Sequence, residues 1–124
     1  MAETIKYSGS ASVSGGPSLA FSQDIADLDV FTKANLVVPA ANGTKTLPFA
    51  GTVRLLLVTS SSYTDVKFAL DTGTAGTDHD LDMPLLIAGK GALELFAPGL
   101  KSVKFTNTNA TKAVTLNVFA AVKP

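Results

Sequence analysis

The sequence predicts an all-β protein, an antiparallel two-sheet sandwich of roughly eight or nine short strands. Three observations carry this. Apolar residues recur with period two in several short runs, as they do when successive side chains point to opposite faces of a strand. Turn residues (Gly, Pro, Asn, Ser) punctuate the chain about every ten positions. Nothing resembling a linker divides the 124 residues, so one domain is expected.

The organising stretch is Thr52 to Asp71, TVRLLLVTSSSYTDVKFALD. Val53, Leu55 and Leu57 fall on one face, and Arg54, Leu56 and Val58 on the other. Val66, Phe68 and Leu70 then alternate with Lys67, Ala69 and Asp71. The serines between them favour a turn. Two consecutive antiparallel strands are expected, the first central because both its faces are apolar.

From the start of the chain, Thr4 to Tyr7 and Ala11 to Val13 are candidate short strands, ended by Gly15-Gly16-Pro17. Residues 1–18 read as an N-terminal arm or edge strand, and residues 19–124 as the sandwich. Leu19 to Phe21 begins a strand. In SQDIADLDVFTK, Ile25, Leu28 and Phe31 have helical spacing with Ser22 as a cap, whereas Val30 and Thr32 favour extended chain. Asn35 to Val38 is a strand, Asn42-Gly43 a tight turn, and Lys45 to Phe49 a return strand in which Pro48 suggests an edge or a bend. Thr72 to Pro84 is the longest loop. Leu85 to Ala88, Ala92 to Phe96, Ser102 to Thr106 and Ala113 to Val122 complete the strands. The expected core is Leu55, Leu57, Phe68, Leu70, Leu95, Phe105, Leu116 and Val118.

Composition narrows the function. Hydrophobic residues make up 46% of the chain, enough to bury a core without staples, and the absence of cysteine rules out disulfides and thiolate metal sites. Ten basic residues balance ten acidic ones, so no bulk field draws the chain to nucleic acid or anionic lipid. The first sixteen residues, MAETIKYSGSASVSGG, lack an apolar segment of signal-peptide length, and no run approaches the ~20 residues of a membrane span. The expectation is a protein made in the cytoplasm, with neither nucleic-acid nor membrane partners.

Candidate chemistry is sparse. His79 is the only histidine and sits in Asp78-His79-Asp80-Leu81-Asp82. Asp78, Asp80 and Asp82 are weak candidates for a calcium site, since hard cations take several carboxylates from one loop. The spacing lacks the glycine hinge and closing glutamate of an EF-hand, and a solvated acidic loop is the simpler reading. No serine lies in a G-x-S-x-G elbow, and Asp24, Asp27 and Asp29 are a cluster of the kind common on surfaces. Gly43-Thr44-Lys45-Thr46 lacks the upstream glycine of a phosphate loop. No catalytic residue, cofactor or enzyme activity is expected. A carbohydrate- or receptor-binding sandwich is the alternative reading; it would lean on exposed aromatic faces, and the chain has no Trp and only Tyr7 and Tyr63.

The segments GALELFAPGLKSVKFTNTNATKAVTLNVFAAV and NLVVPAANGTKTLPFAGTVRLLLVTSSS give the chain a turn-strand rhythm over about residues 19 to 123. In this it resembles the small jelly-roll accessory proteins of tailed bacteriophage virions, among them capsid decoration (cement) proteins and neck or tail components. The resemblance implies a jelly-roll-like sandwich that works in the virion, without chemistry. It would be a homo-oligomer, a trimer first, bound to the major capsid protein or another virion protein. The residues add one expectation of their own. Leu56 and Val58 lie opposite Leu55 and Leu57, and Phe119 opposite Leu116 and Val118, so a second apolar face needs cover. Leu56, Val58 and Phe119, with Ile5 and Tyr7 of the arm, are the expected oligomer or docking surface.

Overall fold

In order along the chain come β1 (Glu3–Ser12), β2 (Ser18–Leu28), β3 (Val30–Val38), β4 (Gly43–Pro48), β5 (Thr52–Ser60) and β6 (Val66–Asp71). They are followed by β7 (His79–Asp80), β8 (Leu85–Ala88), α1 (Lys90–Phe96), β9 (Ser102–Asn107) and β10 (Val114–Lys123). The computed structural model describes residues 3–12, 14–28, 30–74 and 76–123; Val13, expected in a strand, and Asp29, of the aspartate cluster, lie outside them.

β1 and β2 form a two-stranded hairpin, and the other eight strands form two four-stranded sheets of order β3-β10-β5-β8 and β4-β9-β6-β7. Every pairing is antiparallel. Within the sandwich the first strand pairs with the last, the second with the next to last, and so inward to the β6–β7 pair. The chain is a long hairpin rolled up so that β10 also pairs with β5 and β9 with β6. That is the jelly-roll arrangement, eight strands in two sheets.

β10 is the central strand of its sheet, bonded along its length to β3 and over most of it to β5. Its inward residues Leu116, Val118, Ala120 and Val122 are buried. They meet Val103 and Phe105 of β9 and Val66 of β6 across the sandwich, with Leu56 and Val58 of β5 beside them. Leu93, Ala97 and Leu100 close one end of this core.

Several expectations are corrected. β5 and β6 are consecutive but lie in opposite sheets, so the serine turn crosses the sandwich instead of closing a hairpin. Leu56 and Val58 are interior at 0% exposure, while Leu55 and Leu57 belong to a second, outer cluster. Both faces of β5 are apolar, so alternation alone could not choose between them; the register with β10, Val118 to Val58 and Ala120 to Leu56, does.

Residues 92–96 are not a strand but the body of α1. Ala, Leu and Glu are good helix formers, and Leu93, Ala97 and Leu100 recur at helical spacing toward the core. Leu95, expected inside, is 75% exposed. The SQDIADLDVFTK stretch takes the extended alternative and forms β2 and the start of β3. The arm therefore runs to Leu28, because Ser18 to Leu28 pairs with β1 and not with the sandwich.

The turn after β3 has positive φ at Ala41 and Asn42, and Gly43 follows because a side chain there would strike the Pro39 carbonyl oxygen. This turn is tied to the β9–β10 loop, Ala41 N–H donating to Asn109 O at 2.7 Å and Asn42 N–H to Asn107 O at 2.8 Å. Asn107, 1% exposed, donates through Nδ2 to Val38 O (3.2 Å) and Lys112 O (2.8 Å), and its Oδ1 accepts from Asn109 N–H (3.0 Å).

Leu56→Ala is expected to lower stability by about 2–5 kcal/mol in urea denaturation, as for a fully buried leucine. Leu95→Ala should stay within about 0.5 kcal/mol of the parent, as for an exposed side chain. The pair of measurements reads out the faces of β5 and α1 directly.

Candidate functional site

The two sheets present different outer faces. On the β4-β9-β6-β7 sheet, register sets Thr44, Thr106, Lys67 and Asp80 in a row, a polar face suited to water. On the other sheet, Phe119, Leu57 and Leu86 lie side by side, as do Ala121, Leu55 and Ala88. Leu55 and Ala121 are buried there, and the cover comes from β1, whose Ile5 and Tyr7 pack against the same cluster as Leu57, Ala88 and Phe119.

Along β1, Ile5, Tyr7 and Gly9 are half-buried while Lys6, Ser8 and Ser10 are exposed. Gly9 faces Phe21 across the hairpin, and a Cβ at Gly9 would lie 2.8 Å from the ring. The ring thus covers bare backbone, a device that shields a glycine in a strand. Phe21 also meets Tyr7 edge-on, centroids 6.0 Å apart at 64°. Farther along, Leu19 is 74% exposed, and Val37 and Leu86 remain exposed on the sheet's outer face.

Of the residues expected on a docking surface, Ile5, Tyr7 and Phe119 are brought together here. Leu56 and Val58 are not, being in the interior. The cover on the second apolar face is supplied within one chain. Beside it Lys33, Leu57, Thr59, Asn117, Val118 and Phe119 line a hollow of about 180 Å³.

A second feature, absent from the sequence reading, is a cleft of about 260 Å³ at the end of the sandwich closed by α1. Arg54, Lys90, Leu93, Glu94, Ala97 and Lys101 are among its walls. Arg54 owes its place to a β-bulge: Ala121 pairs with Leu55 and Val122 with Val53, leaving Arg54 as the extra residue. Bulges re-aim side chains in this way. Its Nε is buried with no hydrogen-bond partner. Lys90 is 3.8 Å from Glu94, one turn along the helix.

The aspartate loop is organised by lysines. Lys67 Nζ donates to Asp80 Oδ1 at 2.7 Å, and Lys104 stands 3.9 Å from Asp78. Leu81, between Asp80 and Asp82, is buried, which turns its neighbours outward, and the His79 ring lies against Phe68 at 5.9 Å. Among the described residues no group of three or more His, Asp or Glu side chains is placed to hold a metal ion. Asp24 is exposed on the hairpin.

The hydrogen bond and charge of Lys67 hold the Asp80 carboxyl below the usual carboxylate range, and Asp80 raises Lys67 in return. Asp80's share of stability is present above the ordinary aspartate pKa and lost as pH falls through its lowered value. Lys67's share is present below the ordinary lysine pKa and lost as pH rises through its raised value. Both groups are solvent-exposed, so the effect on stability is small.

In comparison with known proteins, no family model matches this chain, and no curated protein or solved structure shows significant similarity to it.

Lys67→Gln should return the Asp80 pKa upward to the ordinary carboxylate range, followed by carboxyl-carbon NMR titration. An unchanged Asp80 titration would mean that the pair does not persist in solution.

Proposed function

We propose that this protein is a non-enzymatic structural component of a bacteriophage virion, a capsid decoration protein that binds and stabilises the assembled shell as a homo-oligomer. The observation that carries the reading is the β1–β2 hairpin. Among the described residues Ile5 and Tyr7, near its base, pack against the sandwich, and the hairpin holds Leu19 out into solvent at 74% exposure. A protein that joins a lattice uses such an arm to reach its neighbour.

The jelly roll is compatible with this role, since capsid domains are among its users, but lectins use it too and fold alone does not decide. The sugar-binding alternative wants free aromatic platforms. Both tyrosines are engaged within the chain, Tyr7 against Phe21 and Tyr63 through its Oη, which accepts the Ser60 N–H at 3.1 Å.

The test is to shorten the arm while keeping its base. Replacing residues 9–21 with an Asn-Gly turn leaves Ser8 opposite Ser22 and retains Ile5 and Tyr7. The shortened protein should fold, by circular dichroism, yet lose binding to particles assembled without the parent protein. A milder variant, Leu19→Ser, should weaken binding without changing the melting temperature. If the shortened protein decorates as well as the parent, the arm is not the docking element.

A further inference from the structure

The cleft beneath α1 holds an unanswered charge. Arg54 Nε is buried and has no hydrogen-bond partner, a state that natural proteins seldom leave without a reason. Lys90 and Lys101 stand in the same walls. The single acid there, Glu94, is already beside Lys90. At about 260 Å³ the space falls short of the usual drug-sized ligand pocket but admits one or two side chains. A guanidinium flanked by ammonium groups is matched by a carboxylate.

The chain carries a carboxylate of this kind at a definite place. Of the loop aspartates, Asp78 and Asp80 have lysine neighbours of their own, whereas Asp82 has no ion pair among the described residues. It is exposed, and Met83 beside it is 62% exposed. Asp82 cannot serve its own cleft. β8 runs antiparallel to β5, Gly89 N–H bonding to Arg54 O while Leu85 pairs with Val58. Asp82 therefore lies beyond the far end of β8, separated from Arg54 by more than four residues of strand, on the order of 13 Å.

We propose that the cleft receives the Asp82 carboxylate of a second copy of this chain, with Met83 packing beside Leu93 at the cleft wall. Donor and acceptor sit at opposite ends of the same sheet edge, so two copies related by a two-fold axis can make the contact twice, while a single contact per pair runs head-to-tail into a ring or filament. With zero formal net charge, the chain has little overall repulsion to overcome on self-association. The proposal rests on the self-assembly within the function proposed above and assigns the residues that would make it.

The experiment is charge reversal followed by sedimentation velocity over micromolar concentrations. Asp82→Lys, at an exposed position, should raise the dissociation constant of the oligomer at least about tenfold. Added salt should weaken the parent's association and leave that of Asp82→Lys unaffected. Combining Asp82→Lys with Arg54→Glu should restore association by exchanging the charges. Where circular dichroism shows that Arg54→Glu does not fold, Lys101→Glu, exposed at the same cleft, takes its place in the combination. A parent oligomer indifferent to Asp82→Lys overturns this contact and leaves the virion reading standing. A parent that stays monomeric throughout overturns both the contact and the self-assembly. A folded double variant that associates no better than Asp82→Lys alone also overturns the contact.

Discussion

The structure depends on the double pairing of β10. A strand hydrogen-bonded on both sides has its ladder satisfied by its neighbours, and what remains to be arranged is the burial of two rows of side chains. The inner row meets the opposite sheet. The outer row includes Ala121, at 0% exposure, and Phe119, which the opposite sheet cannot reach. The sandwich alone thus leaves one apolar face, and the hairpin answers it with Ile5 and Tyr7. β2 ends at Leu28 and β3 begins at Val30, so the edge strand that pairs with β10 also delivers the cover for β10's outer face.

The end of the sandwich away from α1 is held by polar side chains in place of an apolar plug. Asn107 links the last residue of β3 to the loop before β10. Thr108 donates through both its N–H and its Oγ1 to Asp65 O, at 2.8 and 3.0 Å, and so fastens the β5–β6 crossing. The Asn109 Oδ1 accepts from the N–H groups of Thr111 and Lys112, each at 2.9 Å. These bonds satisfy backbone groups that every crossing between sheets leaves without a ladder. Removing the Asn107 amide would strand a buried carbonyl, a cost of about 1–3 kcal/mol.

The fold class was legible because period-two alternation and turn spacing are local signals. The second half of β10, the strand at Ser102–Asn107 and the edge position of β4 with its Pro48 could all be read that way. What failed was whatever local pattern leaves degenerate. Leu55-Leu56-Leu57 reads the same from either face, and only a register with a strand sixty residues away separates them. Leu93 and Leu95 alternate as in a strand, yet Leu93, Ala97 and Leu100 also recur as in a helix, and a seven-residue element is too short for periodicity to arbitrate. Arg54 looked like an outward residue of β5. Its cleft exists because a bulge and a helix from distant parts of the chain converge on it, and neither leaves a mark at position 54.

The hairpin shows how far anchorage reaches. An isolated two-stranded ribbon is marginal in water, because ordering each residue costs about 1–2 kcal/mol that cross-strand pairs barely offset. Here the cost is met unevenly. At the base, Ile5 and Tyr7 bury apolar surface on the sandwich. One step outward, Phe21 caps Gly9 and leans on Tyr7, which carries the order past the edge of the sheet. Beyond that, the side chains of residues 10–12 and 14–20 are exposed, and Leu19 has no apolar neighbour in the two core clusters. The distal hairpin is therefore held in direction by its base while contributing no burial of its own. Its apolar surface remains available to a partner, which can gain that burial without first bearing the full entropy of ordering the arm.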